Sequence, residues 1–175
     1  MCRLSIVDRW HSLDAQKRFL IAYPFWFAVL FGLFYWGKFW SYSPIGETID
    51  YYQRAWIMGA LDAILDNQIV DYDIIINPKY HVVITPECNG LIPYFIYLAG
   101  VLAYPKTIFL KFKWAVLGFI IFNIANIIRL VVVVWVVNAY NYKAFYYIHD
   151  IGGNILLIIV GSMLFLGYLN AKKVN

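Results

Sequence analysis

Four charge-poor stretches constrain this chain more than any other feature: residues 19–36, 89–105, 114–138 and 151–171. The first, second and fourth carry no charge, and the third carries one, Arg129. A helix crossing a bilayer needs about 20 mostly apolar residues, and these four stretches approach or meet that length. Apolar residues make up 63% of the chain and charged ones 14%. Soluble domains hold roughly 45–50% and 25%. The expected fold is therefore an all-α integral membrane protein, one domain over residues 1–175, with a lipid bilayer as its solvent. Tyr35, Trp36, Trp40, Tyr104, Trp114, Tyr140 and Tyr168 fall near the span ends, where aromatic anchors gather.

Charge placement sets the direction. Nine of the fourteen basic residues fall in one set of loops if the N-terminus is cytoplasmic: Arg3, Arg9, Lys17, Arg18, Lys106, Lys111, Lys113, Lys172 and Lys173. Lys38, Arg54, Lys79 and Lys143 fall on the other side, with eight of the ten acids. The positive-inside rule then predicts both termini inside. The net charge of +4 is thus a topological signal and not a nucleic-acid footprint. The polar lead-in, "MCRLSIVDRWHSLDAQKR", and the lack of a small-residue cleavage site exclude a secretory signal peptide.

The outer segment, 37–88, has two parts. Ile49, Tyr52, Trp56, Ala60, Ala63 and Ile64 recur at helical spacing over 47–68, among charges, which suits a helix lying in the membrane interface. Over 69–85, two β-branched runs flank Asn77-Pro78-Lys79 and predict a short β-hairpin before the second span.

This topology brings three distant residues to one depth. Cys88 stands at the outer end of the second span. Arg129 lies fifteen residues into the third, about 22 Å up a core of about 30 Å. His149 precedes the fourth span. An arginine among apolar residues in a membrane helix marks function by default, whereas snorkelling toward the interface is the plain alternative. Asn123 and Asn126 share its helical stripe, and Asn126 is placed to hold the guanidinium. A lone cysteine is more often a small buried hydrophobe. Here its only possible mate, Cys2, is across the membrane, and an unpaired extracytoplasmic thiol reads as reactive. Asn89 as N-cap and Pro93 in a first helical turn would set Cys88 at the positive end of a helix dipole. His81, on the strand leading to Cys88, competes with His149 as proton carrier, and Asp150 is not assigned.

A thiol, an imidazole and a guanidinium fit acyl transfer. The thiol attacks a carbonyl, the imidazole moves the proton, and the guanidinium stabilises an oxyanion or holds a substrate carboxylate. A thiol–disulfide oxidoreductase is excluded for want of a second outer cysteine. A non-catalytic scaffold or assembly factor, with Arg129 pairing a partner helix, is the competing reading. The spacing suits no metal site and no phosphate-binding loop.

Three motifs, in order, resemble the exosortase/archaeosortase family: "PECNGL" (86–91), "NIIR" (126–129) and "HDIGGN" (149–154). The chain is small beside many members and similar to core-only proteins of the Bacteroidetes type. The resemblance implies a cysteine transpeptidase or peptidase of a bacterial plasma membrane, facing outside the cytoplasm. Its partner would be a membrane-anchored substrate with a C-terminal helix and basic tail, and no cofactor or nucleic acid is implied. Cys88 would be nucleophile, Arg129 the essential arginine and His149 the proton carrier, with Asn126, Asn89 and Glu87 in support.

Overall fold

The computed structural model describes residues 14–35, 43–66, 68–140 and 145–171, without the side chains of Pro86, Glu87 and Asp150. Cys2, Arg3, Arg9, His11, Trp36, Lys38, Trp40, Lys143, Lys172 and Lys173 lie outside the described residues.

Helix α1 (Ala15–Phe34) starts at Asp14, whose carboxylate accepts from the Lys17 N–H at 2.8 Å. Helix α2 (Pro44–Asp62) is capped the same way by Ser43, and Pro44 sits at its first turn, where no N–H is needed. A small sheet follows: β1 (Gln68–Val70), β2 (Asp73–Asn77) and β3 (Tyr80–Val83). A 3-10 turn (Pro86–Asn89) leads into α3 (Leu91–Ala103). Helix α4 (Ile108–Ala139) is the longest, at 32 residues. A π-helical turn (Tyr146–Gly152) runs straight into α5 (Gly153–Asn170).

Four helices alternate in direction. Phe19, near the start of α1, meets Tyr104 and Phe165, while Phe34, at its end, lies 4.3 Å from the Phe95 ring. Lys106, between α3 and α4, donates to the carbonyls of Tyr168, Leu169 and Ala171 at the end of α5. Lys17, Arg18, Lys106, Lys111 and Lys113 thus gather at one end, as the alternation of the helices requires. Tyr97, Val101, Leu110, Phe122, Ala125, Leu157, Leu164 and Tyr168 form the core between α3, α4 and α5. Tyr97 fits because Gly118 has no side chain: a Cβ there would lie 2.2 Å from its ring.

Among the described residues, three helical stretches are long and apolar enough to cross a membrane: Ala15–Phe34, Ile108–Ala139 and Tyr146–Asn170. At the expected span 89–105 the structure has a shorter apolar helix, α3, of 13 residues, about 20 Å of rise against a hydrocarbon core of about 30 Å. The helix that carries the expected third span starts at 108, ahead of 114, with Lys111 and Lys113 in its first turns.

The expected hairpin is present as β2 and β3, and β1 extends it to a three-stranded antiparallel sheet, ordered β1-β2-β3. Val70 pairs with Asp73, and Asp71 takes a left-handed φ of 53° to close that turn. The second turn is as the sequence suggests, with Asn77 accepting from the Lys79 and Tyr80 N–H groups. Ile74, Val82 and Ile84 on one sheet face pack on Ile57, Met58 and Leu61 of α2 and on Leu130 and Val134 of α4. The sheet therefore lies over the end of α4 that carries Arg129.

Helix α2 is amphipathic in an unexpected sense. Tyr52 and Trp56, from the apolar stripe legible in the sequence, are exposed. The buried face carries Asp50 and Gln53 beside Ile57, Met58 and Leu61.

Candidate active site

Cys88 sits in the 3-10 turn between β3 and α3 and is buried. The turn closes when the Cys88 N–H donates to the Thr85 carbonyl at 2.9 Å. Gly90 then takes φ 75°, the left-handed conformation that reverses the chain into α3. A Cβ at that glycine would also press to 3.1 Å from Asn126. The Asn89 side chain accepts from the Leu91 N–H at 2.9 Å, but the N-cap of α3 is Gly90 and not the expected Asn89. The thiol lies in the 3-10 turn just before the N-terminus of α3.

The thiol's partners are side chains. Sγ lies 3.3 Å from His149 Nε2 and 3.4 Å from Thr85 Oγ1. Burial pushes the Cys88 thiol up. The hydrogen bonds that His149 and Thr85 offer the thiolate, with the charge His149 carries once it has taken the thiol's proton, outweigh it and hold the thiol below its ordinary value.

Arg129 is 6% exposed and reaches the same imidazole. Its Nη2 lies 3.1 Å from His149 Nε2 and 3.2 Å from the His149 carbonyl, and Nη1 lies 3.4 Å from Asn126 Oδ1. A guanidinium only donates, so Nε2 accepts in this arrangement and the ring carries its proton on Nδ1. The Cys88 thiol is then the second donor facing that lone pair. Asn126, fully buried, ties the two sides together: its Nδ2 donates to the Cys88 carbonyl at 2.8 Å.

His149 is aimed by the π-turn, an irregularity that recurs at functional sites. Phe145 stacks on its ring, centroids 4.7 Å apart and planes 8° from parallel. Gly153 is the close-approach position. A Cβ there would lie 2.2 Å from Arg129 Nε.

The sequence reading missed a buried polar layer behind the turn. Asn89 Nδ2 donates to Asp50 at 2.6 Å, and Asp50 also pairs with Arg54 at 2.6 Å. Gln53 donates to the Asn89 carbonyl at 3.3 Å and to Asn123 at 2.6 Å. Asp50, Gln53 and Arg54 follow one another at helical spacing, the one signal that pointed to a shared face.

Of the residues singled out from sequence, the structure gathers Cys88, Arg129, His149 and Asn126, with Asn89 behind them. His81 is elsewhere: its Nδ1 lies 2.7 Å from Asp73 on the neighbouring strand. The side chains of Glu87 and Asp150 lie outside the described set.

Fold and site together define a membrane protein whose helices carry a thiol, an imidazole and a guanidinium to one end of the bundle. Residues 18–167 match the family described as transmembrane exosortase (Exosortase_EpsH), and the chain belongs to that family. Membership gives it a sorting-related role at a membrane. No curated protein and no solved structure matches it.

Proposed function

We propose that this chain is a cysteine peptidase or transpeptidase that processes the C-terminal sorting signal of exported proteins. The observation that carries the reading is the sharing of His149 Nε2 by the Cys88 thiol, at 3.3 Å, and the Arg129 guanidinium, at 3.1 Å. His149 takes the thiol proton as Sγ bonds to the substrate carbonyl carbon. The carbonyl electrons move to oxygen, where Arg129, freed from Nε2 by that proton, donates to the oxyanion. Collapse breaks the C–N bond, and His149 returns the proton to the leaving amine. Water or an acceptor amine then attacks the thioester and releases Cys88.

In this reading α3 acts as a short fourth span, with Cys88 in the turn outside it. The N-terminus is cytoplasmic, and the site faces outside a bacterial plasma membrane. Four alternating helices and five basic residues at the end remote from Cys88 support that orientation. The partner is a membrane-anchored protein with a C-terminal apolar helix and basic tail, and Asn126, Asn89 and Glu87 support the site.

The test is Cys88→Ser with a co-expressed protein carrying such a C-terminus. Processing should stop while the variant remains inserted at the wild-type level. Normal processing would favour a scaffold. A membrane-impermeant maleimide should label Cys88 on intact spheroplasts, and labelling only after lysis would reverse the orientation.

A further inference from the structure

Strand β3 is an edge. Its one partner among the described residues is β2, and its other side pairs with no described backbone. Antiparallel ladders alternate, so every second residue turns its N–H and C=O to the partner and the residues between turn theirs away. The Ile84 N–H donates to the Tyr72 carbonyl at 2.8 Å, and Val82 is opposite Ile74 in the same phase. His81 and Val83 therefore aim their main-chain groups outward, while at Thr85, just past the strand, the carbonyl accepts from the Cys88 N–H. His81, Val83 and Thr85 are all exposed, Val83 at 51%. Val82 and Ile84, between them, are buried on α2 and α4. The edge is anchored from behind and open in front.

Its far end meets the thiol: Thr85 Oγ1 is 3.4 Å from Cys88 Sγ. An extended chain lying about 4.8 Å from β3 passes that thiol as it leaves the edge. Sheet edges capture extended peptides in this way, with main-chain bonds giving affinity whatever the side chains.

We propose that the edge from His81 to Thr85 is the docking strand for the peptide being processed, which adds to the sheet as a fourth strand and so lays its reacting carbonyl over Cys88. The inference rests on Cys88 being the nucleophile. It commits to an extended peptide because this edge runs into the candidate nucleophile instead of ending on open surface.

Two thiol reagents test it on the full chain in membranes: iodoacetamide, and acetyl-tetra-alanine chloromethyl ketone, whose peptide offers little beyond its main chain. In each, Sγ displaces the halide and a thioether forms. Val83→Pro deletes an outward N–H and leaves the β2 bonds intact, as proline on an edge strand allows. The ketone's rate should fall about tenfold, the worth of one hydrogen bond, while iodoacetamide's stays within about twofold. On the wild-type chain, N-methylating the ketone's amides one at a time should slow it at alternate positions only. Both rates unchanged in Val83→Pro, or equal losses at successive amides, would overturn the docking strand. So would a Val83→Pro chain that merely loses self-association. If wild-type Cys88 ignores both reagents, the nucleophile assignment itself fails, a different result from a reactive thiol with no peptide preference.

Discussion

Gly153→Ala sets two rules of physics against each other. Alanine is a better helix former than glycine by about 1 kcal/mol, so propensity alone predicts a slightly more stable protein. At Gly153, though, the added methyl would lie 2.2 Å from Arg129 Nε, 2.7 Å from Cδ and 3.1 Å from Cγ. Ordinary contact between such atoms is about 3.5–4.0 Å, so the guanidinium stem must move by roughly 1–1.5 Å. It is the middle of the side chain that collides, and swinging the tip cannot relieve it. Nη2 then loses its positions 3.1 Å from His149 Nε2 and 3.2 Å from the His149 carbonyl. A displacement of about 1 Å at a positioning group costs about a hundredfold in rate, and that is the expected fall in kcat for substrate processing. Two alanines serve as controls. A Cβ at Gly32 meets nothing within 4 Å, and one at Gly152 comes only to 3.4 Å from the Tyr147 carbonyl. Both variants should keep activity within about threefold, Gly32→Ala with the small gain in stability that propensity promises. The assay is single-turnover cleavage of a co-expressed substrate, beside detergent-induced unfolding. A Gly153→Ala enzyme within about threefold of wild type would refute the reasoning, because Arg129 would then tolerate displacement or play no part.

Three further outcomes follow from the site. The lowered thiol of Cys88 means that thiolate forms at lower pH than in a free cysteine, so the alkylation rate should rise through a midpoint below about 8.5. A depressed pKa stabilises the folded chain above the free-thiol value and loses that effect as pH falls through the folded one. His149→Ala removes the largest of the lowering partners, and the alkylation midpoint should move up; an unmoved midpoint would detach the imidazole from the thiol. Asp50→Ala leaves the Asn89 amide and Arg54 without their buried acceptor, and an unsatisfied buried donor costs about 1–3 kcal/mol. Unfolding should ease by that amount, with Asp50→Asn, which keeps an acceptor for Asn89, losing less; equal stability in all three chains would show the layer to be idle.

Charge-free runs made the long helices legible, and the order of spans made it legible that Cys88, Arg129 and His149 share one end. The role of those three side chains is the proposal's. Three things were not written plainly. The third strand hangs on Asp71 adopting a left-handed φ, which aspartate tolerates without announcing it. The short α3 was hidden because Asn89 and Gly90 are uncharged and pass for the start of a span, although they form a turn. The buried Asp50 layer was hidden because acids in an outer loop read as solvated; only the packed structure shows that α2 turns its polar side inward and Trp56 outward. Topology alone left His81 competing with His149, and the π-turn and the stacked Phe145 ring place His149 beside the thiol while His81 pairs with Asp73.

The three polar side chains come from three successive parts of the chain, and ribosomes deliver them in that order. Cys88 leaves first, 41 residues before Arg129 and 61 before His149. Until the last helix has been synthesised and inserted, the thiol has neither its proton acceptor nor the ring that Arg129 holds. On the proposed mechanism, a half-made chain, or one truncated before residue 149, is inert toward whatever nascent proteins share the translocon with it, and reactivity waits on the last helix.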